Sequence, residues 1–130
     1  MLLAAATVGR VGFVSADGVE IVPVNYRLGE GPRLFVSTRH DGIVAQLAAA
    51  GTDVAFEVDH EGVLERSGWS VLMQGSLAEL DQRGRAAYHQ LRLQPDSWAG
   101  PARPVTVQFT PRVVTGRSIS ATGWAPPEPA

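Results

Sequence analysis

Two neighbouring stretches decide how this chain folds: Val19-Glu-Ile-Val-Pro-Val-Asn-Tyr-Arg-Leu28 and Arg33-Leu-Phe-Val-Ser-Thr-Arg-His-Asp-Gly-Ile-Val44. The first is rich in β-branched residues and reads as a long strand. The second reads as a strand over 33–38 that runs into a helix, with the loop Gly29-Glu-Gly-Pro32 between the two. In the first, Ile21, Pro23 and Asn25 share one face, and Val22, Val24 and Tyr26 share the other. Both faces are apolar for most of the length, which suits a closed barrel wall with something packed outside it. Pro23 cannot donate to a ladder, so it marks an edge or a bulge. Thr38-Arg-His-Asp41 has the form of a capping box. Ile43, Val44, Leu47 and Ala48 then form one apolar helical stripe that Gly51 stops.

Working outward, Val8–Ser15 reads as a strand with Val11 and Phe13 on one face, joined to the next by Asp17-Gly18, a hairpin signal. Val54–Val58 is a fourth strand, followed by a polar, acidic loop from Asp59 to Gly68. Trp69–Leu80 is a long fifth strand whose Gly75 predicts a bulge where a small barrel turns a corner. Asp81 caps a second helix through about Leu91, with Ala86, Ala87 and Leu91 facing inward. Pro95 to Pro104 is a loop carrying Trp98, and Val105–Phe109 is a sixth strand. Pro111 interrupts it, and Val113–Ile119 is a seventh strand or an extension. Ala125–Ala130 is Pro-rich and reads as a flexible tail. The fold class is therefore mostly β: a six- to seven-stranded antiparallel barrel with two peripheral helices, in one domain over 1–120, and a tail over 121–130.

Composition removes several functions. At 130 residues, 45% apolar and 18% charged, the chain is an ordinary globular domain. A net charge of −2 provides no basic field, so nucleic acid is not expected as a partner. No cysteine means no disulfide, thiol nucleophile or thiolate-ligated metal. All eleven basic residues are arginine, so there is no lysine to form a Schiff base. Met1-Leu-Leu-Ala-Ala-Ala-Thr lacks a positive n-region, and no stretch approaches the ~20 apolar residues that span a bilayer, so the expected location is the cytoplasm. His40, His60 and His89 lack metal-ligand spacing, and there is no G-x-S-x-G. No side chain is expected to be catalytic and no metal is expected.

What stands out chemically is Ser37, Thr38 and Arg39 at the strand-to-helix junction. Two hydroxyls, backbone N–H groups and a guanidinium suit an anion such as a phosphate. The plainer reading is a capped helix with a solvated arginine. Asn25 and Tyr26 lie on the neighbouring strand, either as ligand contacts or as satisfied residues of the barrel wall. Trp69 is a core or a ligand-facing aromatic, and Arg117 either a family-like pair with Gly116 or a surface arginine beside a bulge.

The order of these pieces resembles the pyridoxamine 5′-phosphate oxidase-like superfamily of FMN-binding split barrels, and within it the small bacterial nitroimidazole-resistance-type branch. The resemblance rests on Gly9-Arg-Val-Gly-Phe13, Pro23-Val-Asn-Tyr26, Leu34-Phe-Val-Ser-Thr38 before a helix, Val54-Ala-Phe-Glu-Val-Asp59, Gly68-Trp-Ser-Val71 with Gly75 downstream, and Val114-Thr-Gly-Arg117. It implies a homodimer with FMN at the subunit interface, a reduced nicotinamide as electron donor and an unknown small-molecule substrate. It implies that Val24, Asn25 and Tyr26 line the isoalloxazine ring, that Ser37, Thr38 and Arg39 meet the ribityl phosphate, and that Trp69 and Ser70 approach from the adjacent strand. Where the family often has a basic residue, this chain has Asp41-Gly42-Ile43. That departure leaves open F420 or haem in place of FMN, or a binding module without turnover.

Overall fold

The computed structural model describes residues 7–29, 31–62, 64, 66–91, 104–120, 123–124 and 128–129. The chain runs β1 (Val8–Ser15), β2 (Gly18–Leu28), β3 (Leu34–Arg39), α1 (Ile43–Ala49), β4 (Asp53–Gly62), β5 (Ser67–Glu79), α2 (Gln82–Leu91), β6 (Pro104–Ser120), β7 (Gly123–Trp124) and β8 (Glu128–Pro129). All strand pairings are antiparallel, and the six long strands close a ring in the order β1-β2-β3-β6-β5-β4. Closure pairs every long strand on both sides over part of its length, leaving little of the exposed edge that would otherwise recruit other chains. The expected barrel with two helices is the observed architecture.

The ring forms because alternate residues of each strand are apolar. Val11 and Phe13, Val24 and Tyr26, Leu34 and Val36, Phe56 and Val58, Val71 and Met73, and Val107 and Phe109 point into one core. At its centre Phe56 meets Tyr26 edge-on at 5.7 Å and Phe109 at 5.1 Å. Helix α1 packs against β3, β5 and β6, burying Val44 and Ala48. Helix α2 covers the outer face of β3, where Tyr88 meets Phe35 at 5.4 Å and Arg33 reaches Asp81 at 3.3 Å. That is why β3 is buried on both faces.

The register of β5 against β6 shifts between Gln74 and Gly75, which is the predicted bulge. A side chain at Gly75 would run into the carbonyl of Thr110. Asp81 accepts a hydrogen bond from Gly84 N at 2.6 Å, so it does cap α2, and Gly51 ends α1 with φ of +64°.

Several expectations need correction. The Thr38–Asp41 capping box does not form: β3 continues through Arg39, and the residue at the N-cap of α1 is Gly42, which supplies no side-chain bond. Asp41 is held instead by Arg39. Asp59–Gly62 is strand, not loop, because β4 and β5 pair as far as Gly62 and Ser67. Of the two readings of Val113–Ile119 the extension holds: it continues the sixth strand as β6, because Pro111 sits opposite Gly75 at the bulge, where a ladder irregularity absorbs its missing N–H. On α2, Ala86 is exposed, and Gly84 is the residue buried against the sheet. Among the described residues nothing covers the outer face of the first half of β2: Val19 is 78% and Ile21 67% exposed. The loop carrying Trp98 and the side chain of Leu91 lie outside the described residues. Toward the C-terminus, β7 pairs with Ile119 and Ser120, and β8 with Thr115 and Gly116. No helix among the described residues is long and apolar enough to cross a membrane.

Candidate functional site

The pairing of β2 with β3 covers only Asn25–Leu28. The earlier residues of β2 pair with β1 alone, so between Val22 and Asn25 the strand presents one open edge. Pro23 falls in this segment, in register with Arg10, where a missing donor costs no second ladder. The end of β3 and the start of α1 face this edge. Together they enclose a cavity of about 250 Å³ lined by Val22–Asn25, Ser37–Arg39 and Gly42–Val44.

The sequence-predicted residues Val24, Asn25, Ser37, Thr38 and Arg39 thus come together. Asn25 and Ser37 are register partners on one face of the sheet and, with Thr38, are the buried polar residues of this corner. No buried side-chain polar atom among the described residues lacks a hydrogen-bond partner. Among the described residues of the lining, Arg39 is the one ionisable side chain. It is half exposed and bound side-on by Asp41, with Nε to Oδ1 at 3.1 Å and Nη2 to Oδ2 at 3.2 Å. The hydrogen bond from Arg39 is the main reason the Asp41 carboxyl titrates below the usual carboxylate range.

Tyr26 is placed differently. Its ring lies inside the barrel, 2% exposed, and burial pushes its hydroxyl up to about 12. Its backbone N–H donates to Thr7 O at 3.0 Å. On this strand the cavity lining ends at Asn25 and does not include Tyr26. Trp69 and Ser70 are not on a strand adjacent to β2 or β3: β5 neighbours β4 and β6. They line a separate hollow of about 270 Å³ with Asp59, His60, Glu61 and Arg117, in which the His60 and Trp69 rings stack at 6.0 Å.

Between these two hollows lies the outer face of the β2-β1-β4-β5 wall, which no described residue covers. Gly12 stands opposite both Ile21 and Ala55, and Leu72 stands opposite Glu57. A shallow depression of about 520 Å³ runs over them. Arg10 crosses it, bridging Glu57 at 2.8 Å and Asp59 at 3.0 Å. Sequence reading missed this face. Its signal was the run Val14, Val19, Ile21, which a barrel wall covered from outside accounts for equally well.

The pyridoxamine 5′-phosphate oxidase family model matches residues 1–118. The chain belongs to the pyridoxamine 5′-phosphate oxidase family. It is 34% identical over 128 residues to the uncharacterized protein Rv0080 of Mycobacterium tuberculosis, covering 96% of this chain and 83% of that one. Among solved structures it is similar to an FAD-binding protein of Mycobacterium smegmatis, with a TM-score of 0.71, 24% identity and coverage of 92% and 90%. It is also similar to a structure named for 5-nitroimidazole antibiotic resistance from Bacteroides thetaiotaomicron, with a TM-score of 0.65, 17% identity and coverage of 89% and 79%. At these identities the two structures speak for the fold. The family supports a flavin-binding barrel.

Proposed function

We propose that this protein binds the flavin mononucleotide unit, as FMN or within FAD, and works as an oxidoreductase fed by a reduced nicotinamide. The observation that carries the reading is the open β2 edge between Val22 and Asn25, closed at one end by Ser37, Thr38 and Arg39. A strand edge offers N–H and C=O groups in a row, which is what the polar edge of a flat heterocycle needs. The hydroxyls and guanidinium at its end suit the ribityl chain and phosphate. A bound flavin supplies the redox chemistry itself. The side chains then need only orient it and shield it, which accords with a lining that holds one ionisable group.

The same reading makes the protein a homodimer. A cavity of about 250 Å³ falls short of the ~300–1,000 Å³ typical of small-molecule sites, so one protomer encloses only part of a flavin. The exposed Val14, Val19, Ile21 and Leu72 form an apolar surface between the β2 edge and the Trp69–Ser70 hollow. Isologous packing of that face would carry one protomer's Trp69 and Ser70 toward its partner's β2 edge. A carrier without turnover is the second reading, and the neutralised Arg39 favours it.

The test is spectroscopic. Purified protein, or protein mixed with FMN or FAD, should show flavin absorbance near one equivalent per chain, sediment as a dimer and oxidise NADH or NADPH in the presence of an acceptor. Bound flavin without nicotinamide oxidation supports the carrier. A colourless protein that takes up neither flavin refutes both.

A further inference from the structure

The guanidinium at the flavin pocket is already engaged. Arg39 presents its Nε and Nη2 edge to both oxygens of Asp41, at 3.1 and 3.2 Å. That edge is the one a guanidinium uses to grip a phosphate at two points. Asp41 is exposed and lies two residues along the chain from Arg39, on the turn into Gly42. The formal charge at this corner is therefore zero, not +1. A ligand phosphate must either displace the carboxylate or settle beside it.

We propose that Asp41 is a specificity-determining residue: the carboxylate on Arg39 selects flavins by the charge of their phosphates, disfavouring FMN and FAD relative to riboflavin. This rests on the flavin reading above. A phosphate monoester carries about −1.5 to −2 at neutral pH. The pyrophosphate of FAD carries about −1 on each of two adjacent phosphates, and riboflavin carries none. Two unit charges ~5 Å apart in a water-like dielectric repel by about a fourfold change in affinity. The carboxylate thus costs FMN and FAD each on the order of tenfold and riboflavin nothing.

Asp41→Asn removes the charge and keeps the shape. Dissociation constants for FMN, FAD and riboflavin are measured by flavin fluorescence on the parent and the variant, at low and high salt. FMN and FAD should each tighten by about tenfold and riboflavin by less than about twofold, with the differences shrinking in salt. Asp41→Glu, which keeps the charge, should rank the three flavins as the parent does. Equal changes for all three flavins in Asp41→Asn would overturn the proposal, because they would signify a structural effect. Inorganic phosphate provides an arm that needs no flavin: followed through the Arg39 Nε–H resonance, it should saturate Asp41→Asn at lower concentration than the parent. If no flavin binds either protein while phosphate still separates them, the flavin reading fails and the role of Asp41 stands. If phosphate binds both alike, the role of Asp41 fails.

Discussion

Gly42 joins the stability of this fold to its candidate site, and Gly42→Ser tests that link. The residue occupies the N-cap of α1 with φ −88° and ψ 173°, a conformation open to any residue and typical of a serine cap. No side chain caps α1 at present. A Cβ built at Gly42 lies 3.5 Å from Arg39 Cβ and from Arg39 O, which is ordinary contact. Serine therefore enters without strain. It should add a few tenths of a kcal/mol as a cap, and about 0.4–1 kcal/mol by restricting the unfolded chain. The sum, about 1 kcal/mol, raises the melting temperature of a chain of this size by roughly 3–5 °C.

The same Cβ lies 3.9 Å from Thr38 Oγ1 and belongs to the cavity lining. Its added atoms occupy space that a ligand phosphate would use, at an overpacking cost of about 1–3 kcal/mol, or roughly 5- to 150-fold in affinity. The assay pairs calorimetry on ligand-free protein with a flavin titration, since bound ligand would itself raise the melting temperature. A variant that is more stable and binds flavin more weakly is the expected result. A lower melting temperature would refute the capping argument. Unchanged flavin affinity would refute the placement of the phosphate beside Thr38.

Two further outcomes follow from the core and the bulge. The Tyr26 hydroxyl is raised by burial to about 12, against about 10 in an unfolded chain, so its contribution is fully present below pH ~10 and is lost as the pH rises toward ~12, amounting to about 2–3 kcal/mol. Denaturant melts between pH 9 and 12 should show that alkaline limb in the parent and not in Tyr26→Phe. Gly75→Ala would press a methyl into the Thr110 carbonyl and Pro111 Cα, both backbone, so no rotamer change relieves it. A loss of about 1–3 kcal/mol in urea unfolding is expected, and a neutral result would mean that the bulge is free to migrate along β5.

The number and order of the long strands, the bulge at Gly75, the Asp81 cap and the closure of the barrel could be read from residues because each is a local or periodic signal. Alternation of period two sets which side chains turn inward, and a single glycine or aspartate decides a bulge or a cap within one turn of chain. The meeting of Asn25 with Ser37 was legible for the same reason: the two stretches are joined by a short loop, and hairpin register follows from loop length. What could not be read were competitions between local partners. Asp41 could serve a backbone N–H in a capping box or the Arg39 guanidinium, and the residue chemistry is the same for both. Only the point where β3 stops pairing with β6, at Arg39 opposite Pro104, settles which it does.

By itself, then, the sequence determined a mixed hydroxyl–guanidinium corner on an antiparallel barrel, because those are properties of residue type and spacing. The tertiary structure decided that Trp69 and Ser70 stand across the barrel wall from that corner, and that the Tyr26 ring turns inward. It also decided that the outer face of β1 and β2 carries the exposed Val14, Val19 and Ile21. The reason is geometric: closing a ring of six strands fixes which strands are neighbours, and that relation is carried by pairings between residues far apart in the chain.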